Sequence, residues 1–99
     1  MKRPVGWSRE VLDDIKDQVA FIARDNPRAA RRIADRLRDA GAALGDLAAG
    51  RPGRVTGTYE KSVSRLPYVI AYELRPIAGR DSVVILHVIH TARGWPAGD

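Results

Sequence analysis

Eight side chains in the second half of the chain carry groups that could do chemistry: Arg54, Lys61, Arg65, Arg75, His87, His90, Arg93 and Trp95. Cations of this kind hold a phosphate backbone and stabilise the charge that develops on it during cleavage, without a metal. A histidine titrates near neutral pH and serves as general acid or base. The set therefore fits either a metal-independent ribonuclease, with His87, His90 and Arg93 as its catalytic candidates, or a surface that grips an anionic partner.

Each position has a plainer role beside the chemical one. Lys61 and Arg65 suit solvent-facing strand positions, and Arg75 suits the close of a hairpin. His87 reads as an exposed sheet residue, His90 as a hydrogen-bonded histidine at a strand end, and Trp95 as tail packing. Arg93, next to Gly94, has little structural duty. Alternation puts the two histidines on opposite faces of a strand, so they do not make a metal site. No serine–histidine–aspartate set and no phosphate-cradling glycine loop is legible. The chain has no cysteine, which excludes disulfides and thiolate metal sites. No metal and no cofactor is expected.

These groups need a sheet to hold them. Residues 54–66, 68–75 and 82–90 read as three strands, the last two rich in Val, Ile and Tyr. Gly57 suggests a bulge or a close approach in the first, and Pro67 ends it. In the second, Tyr68, Ile70, Tyr72 and Leu74 share the bulkier face, which should meet the helices. Residues 76–81 form a polar connection. The last strand is apolar on both faces, the mark of a central position. Residues 2–7 read as a short first strand with Pro4 at its start.

Two helices lie between. Ser8 is an N-cap, and Glu10, Asp13 and Asp14 suit the positive end of the helix that follows over residues 9–24. Leu12, Ile15, Val19 and Ile22 form its apolar stripe, which Phe21 widens. Asn26-Pro27 breaks the chain and restarts it, because the residue before proline avoids the α region. The second helix spans residues 27–47, with Ala30, Ile33, Leu37, Ala40, Leu44 and Leu47 as its stripe. Gly41 and Gly45 imply fraying there or close approach to another backbone. Arg28, Arg31, Arg32, Arg36 and Arg38, with Asp35 and Asp39 between them, read as a solvated face, with a nucleic-acid role as the minority reading. Residues 48–53 read as a loop. The elements make one α+β domain over residues 1–99: an N-terminal strand, then an antiparallel two-helix hairpin packed on a mainly antiparallel β-sheet.

The composition is 44% hydrophobic and 29% charged, as in a globular protein rather than a disordered one. No apolar run reaches the roughly 20 residues of a membrane span, and no apolar segment follows the basic start, so neither membrane nor signal peptide is expected. A reducing cytoplasm fits. The net charge of +5 favours an acidic or nucleic-acid partner, or serves solubility alone.

The order strand, helix, Asn-Pro break, helix, then three strands closing on Val88-Ile89-His90, Ala92-Arg93 and Trp95-Pro96 resembles the ParE/RelE superfamily of bacterial type II toxins. Asp13-Asp14-Ile15, Phe21-Ile22-Ala23, Asn26-Pro27 with Ala29-Ala30, Gly53-Arg54-Val55 with Gly57, and the run from Pro67 to Tyr72 carry the likeness, which covers nearly all of the chain. The resemblance implies a toxin neutralised by a cognate antitoxin, whose acidic segment wraps it in a hetero-oligomer. ParE-like members poison DNA gyrase by binding it. RelE-like members are endoribonucleases that cut mRNA on the ribosome, often helped by a C-terminal Tyr or His. No tyrosine follows Tyr72, so the resemblance leans to gyrase inhibition. Arg54, Lys61, Arg65, Arg75, Arg93 and Trp95 are then contacts to target or antitoxin. The RelE-like ribonuclease is the alternative.

Overall fold

Ser8 sets the first half of the molecule. Its backbone is extended, at φ −66° and ψ 160°, and its Oγ accepts from the Val11 amide at 3.1 Å to start helix α1, Arg9–Ala23. In this computed structural model residues 2–92 are described; Arg93 and Trp95 lie outside the described residues. Asn26 caps helix α2, Pro27–Asp46, by accepting from the Ala29 amide at 3.1 Å, with Pro27 in the first turn as expected. Ile15 of the expected α1 stripe packs against the core, but Leu12 and Phe21 face outward, Phe21 at 70% exposure. Val11 is fully buried, whereas Leu12 is 54% exposed. Tethering Ser8 to the sheet turns Val11 inward and leaves Leu12 outside. Ala30, Leu37 and Leu44 of α2 are buried as expected, but Leu47 leaves the helix in an extended conformation and is exposed.

The sheet has five strands in the order β1-β5-β4-β3-β2. They are β1 Val5–Trp7, β2 Arg51–Pro52, β3 Tyr59–Ser62, β4 Tyr68–Ile77 and β5 Arg80–His90. Only the β1–β5 pair is parallel; the others are antiparallel. The expected strand over residues 54–66 is broken. Residues 51–52, read as loop, pair with Tyr59 and Glu60, and the chain turns between them. Gly57 belongs to that turn, at φ +88°, and makes no bulge. The connection after β4 is also shorter than expected. Ala78 and Gly79, at φ 51° and 77°, make a two-residue turn with both central residues left-handed, and pairing runs out to Ile77 and Arg80. Such a turn matches the twist of the strands it joins, so the hairpin continues to its tip.

One bulge does fall in the sheet, on β5. Ala71 pairs with His87 and Tyr72 with Ile85, which leaves Leu86 as the extra residue. The core lies between the helices and one face of the sheet: Val11, Leu37 and Leu44 against Tyr68, Ile70, Tyr72, Val83, Ile85 and Val88. Burying each such side chain contributes about 1.5–3 kcal/mol. Leu74 was expected on that face but is 39% exposed, because it lies on the projecting end of the hairpin. The glycines of α2 mark close approach rather than fraying. A Cβ on Gly41 would sit 2.3 Å from the Trp7 ring, and one on Gly45 would sit 2.7 Å from the Arg3 carbonyl oxygen. The Arg3 amide donates to the Gly45 carbonyl at 2.7 Å, so α2 lies directly on the β1 end.

Candidate functional site

Strand β1 covers the outer edge of β5 only from Val83 to Ile85. Beyond it, α1 takes over. The Ser8 amide donates to the Ile85 carbonyl at 2.9 Å, and the Ser8 hydroxyl donates to the Leu86 carbonyl at 3.0 Å. Nearly three turns further on, Gln18 Nε2 reaches the Val88 carbonyl at 3.5 Å. Between them Asp14 Oδ2 lies 3.0 Å from His87 Nδ1, both side chains about one-third exposed. A carboxylate in this place holds the imidazole in one orientation.

His90 is placed differently. Its ring meets that of Tyr68 edge-on at 5.4 Å between centroids, and its Nδ1 accepts from the Ala92 amide at 3.1 Å. It is thus the hydrogen-bonded strand-end histidine of the plainer reading. The register sets His87 opposite Ala71 and His90 opposite Tyr68, which point to opposite faces of the sheet. The two rings do not converge on one reacting group.

The cations of the sheet half divide by what holds them. Arg54 is committed to Glu60: its amide donates to Oε2 at 2.9 Å and its Nε lies 3.5 Å from Oε1, while the Glu60 side chain is only 3% exposed. The pair fastens the 53–58 turn to β3. Arg75 is paired with Glu73, two residues back on the same face. Lys61 and Arg65 are exposed and carry no ion pair, and Arg65 has a left-handed backbone at φ 64°. Arg54 and Arg75 thus each share their charge with a carboxylate, whereas Lys61 and Arg65 do not. No group of three metal-ligating side chains occurs among the described residues. No helix among them is long and apolar enough to cross a membrane.

Burial raises the Tyr72 hydroxyl above its ordinary pKa of 10.0, and the neighbouring Tyr59 pushes it further the same way, against a smaller lowering by Arg3. The two rings stack at 5.6 Å. Tyr72 is core, 1% exposed, and does not present its hydroxyl to a substrate.

The strongest collection of free charge lies elsewhere, on α2. Arg28, Arg31 and Arg32 are exposed and have no ion pair, while Arg36 donates to the Ser64 carbonyl and so ties α2 to the 63–68 turn that carries Arg65. The spacing of these arginines was visible in the sequence; their juxtaposition with Arg65 was not, because only the fold brings the turn against the helix.

Residues 5–95 match the family model of the ParE toxin of the type II toxin–antitoxin system parDE. The chain is 35% identical over 96 residues to a Sinorhizobium fredii protein named "Putative toxin Y4kP", covering 96% of this chain and 95% of that one. Its fold is similar to a chain of the chromosomal ParDE toxin–antitoxin system of P. aeruginosa, with a TM-score of 0.80 at 18% identity over 90% of this chain and 96% of that one. It is also similar to a chain of the RelBE2 toxin–antitoxin complex of Mycobacterium tuberculosis, with a TM-score of 0.57 at 22% identity over 91% and 99% of the two chains.

Proposed function

Since the chain belongs to the ParE family of type II toxin–antitoxin toxins, we propose that it arrests bacterial growth by binding DNA gyrase, and that a cognate antitoxin neutralises it in the cytoplasm. The match to the ParE family over residues 5–95 carries this reading. The site geometry supports it: His87 and His90 face opposite sides of the sheet, and two of the sheet cations are occupied by carboxylates. A protein that acts by binding needs no convergent acid–base pair. The charge of +5 suits an acidic antitoxin segment, which would gain in encounter rate and orientation. Of the expected contacts in the sheet half, Lys61 and Arg65 carry no ion pair, and Arg93 and Trp95 complete the proposed set.

The second reading, a metal-independent endoribonuclease acting on mRNA at the ribosome, draws on one observation. Asp14 orients His87 at 3.0 Å, as a carboxylate orients a general base. Brief induction in bacteria with parallel thymidine and leucine labelling separates the two. Gyrase inhibition stops DNA synthesis first, and purified protein then blocks supercoiling. If protein synthesis falls first, the gyrase reading fails. Cleavage that is lost when His87, His90 and Arg93 are replaced together by Ala then assigns the ribonuclease site.

A further inference from the structure

We propose that the arginine face of α2, completed by Arg65 of the 63–68 turn, binds the phosphate backbone of nucleic acid without reading its sequence. The inference is independent of whether gyrase or the ribosome is the target.

The geometry starts with the helix. Arg28, Arg32 and Arg36 recur every fourth residue, so they line one face with about 6 Å of rise between successive members. Arg31 lies beside Arg32 and broadens the row. Of the two carboxylates that the sequence intersperses here, Asp35 is engaged by Arg38 at 3.6 Å. The side chains of Arg28, Arg31 and Arg32 have no ion pair or hydrogen bond among the described residues. The row also begins at the N-terminal end of α2, where the helix dipole adds to the positive field. Two shallow grooves of about 410 and 400 Å³ flank Arg32, with Ile33, Arg36 and Leu66 on one side and Arg28 and Arg31 on the other; Asp35, drawn off by Arg38, borders both.

Arg65 supplies a second, separate observation. It holds a left-handed backbone at φ 64°, a conformation that glycine or asparagine adopts at less cost. It stands between Ser64, whose carbonyl accepts from Arg36, and Leu66, which lines the groove beside Arg32. The strained position thus puts a fifth unneutralised cation at the margin of the same face.

What the face lacks identifies the occupant. Protein partners anchor on large apolar side chains in the centre of a contact. The exposed large hydrophobic residues among those described are Leu12, Phe21, Leu47, Leu74 and Ile77, and none belongs to this face; the apolar side chains that border its groove, Ile33 and Leu66, are half-buried against the core. A double-stranded polyanion needs no apolar anchor and carries one charge per about 1.7 Å of axis, dense enough to meet every arginine in the row.

The test is fluorescence anisotropy of the full chain with a labelled 30-base-pair duplex of mixed sequence, titrated across a series of salt concentrations. Replacing Arg28, Arg31 and Arg32 together by Gln should lower the slope of log affinity against log salt by about 2.7, since each phosphate contact contributes about 0.9. At a fixed low salt concentration the affinity should fall about tenfold or more, equally for unrelated duplexes. The three Arg→Lys replacements keep the charge and should keep the slope. Arg65→Gly, which removes the backbone strain together with the charge, should lower the slope by about 1 while leaving the thermal midpoint unchanged or higher. An unchanged slope in both neutralised variants, or no binding by the wild-type chain at low salt, overturns the proposal. So does a triple variant that loses binding to polyglutamate but keeps its hold on the duplex, which assigns the face to an acidic protein instead.

Discussion

The two halves of the outer edge of β5 are closed by different means. From Val83 to Ile85 the neighbour is a strand, and the backbone of β1 supplies the partners. From Leu86 onward the neighbour is a helix, which has no free backbone donors along its side, so Ser8 and Gln18 supply theirs from side chains. The bulge at Leu86 falls at the changeover. A β-bulge twists the strand and ends regular pairing, which lets an edge pass from one kind of cover to another. The difference teaches where the fold tolerates change. Backbone pairing depends on shape and is indifferent to side-chain identity, except where α2 presses on it. Closure by a helix depends on two particular side chains.

The largest effect should come from breaking the shape of the first half. Gly41→Val places a branched side chain where even a Cβ meets Trp7 at 2.3 Å and the Ile85 side chain at 2.8 Å. Forcing α2 off β1 should cost about 3 kcal/mol, read as a lowered urea midpoint. Ser8→Ala comes next, because Ser8 joins both halves. It removes the cap of α1 and the donor to Leu86, at a cost of about 1–2 kcal/mol by the same measurement. Gln18→Ala tests the second half alone. Its bond to Val88 is long at 3.5 Å, so the loss should stay below about 1 kcal/mol. If Gln18→Ala costs as much as Ser8→Ala, the helix closes the edge by more than one principal tether. The smallest effect near neutral pH is that of Tyr72. Its raised pKa means that the folded state resists ionisation more than the unfolded chain does. Stability from this group is full below pH 10.0 and declines as pH rises through the folded value, so Tyr72→Phe should flatten the alkaline limb of the stability profile without moving it at pH 7.

The same contrast explains what could be read in advance. The helix starts were legible because Ser8 and Asn26-Pro27 are local signals whose partners lie three residues away. The core face of β4 was legible from alternation through Tyr68, Ile70 and Tyr72. What failed was set at long range. The phase of α1 depends on Ser8 meeting β5, 78 residues later, which moved the buried position from Leu12 to Val11. Arg51-Pro52 has no strand character of its own and becomes one only against Tyr59 and Glu60. The candidate residues show the same limit. Spacing placed His87 and His90 on opposite faces correctly, but nothing near His87 announced Asp14 as its partner, and nothing near Arg54 or Arg75 announced that Glu60 and Glu73 would occupy them.

The parallel pairing of β1 with β5 has a consequence for the newborn chain. The antiparallel hairpins can close as soon as they are made, since their strands are neighbours in sequence. Strand β1 is synthesised long before its partner, residues 83–85, so the sheet stays open on that side until β5 has left the ribosome. At about 5–20 residues per second, synthesis of the chain takes several seconds, during which α1 and α2 have no completed sheet to cover. The long loop to be closed also makes this pairing a late step in folding. A nascent chain therefore lacks the finished sheet until β5 emerges, and any surface built on that sheet forms late.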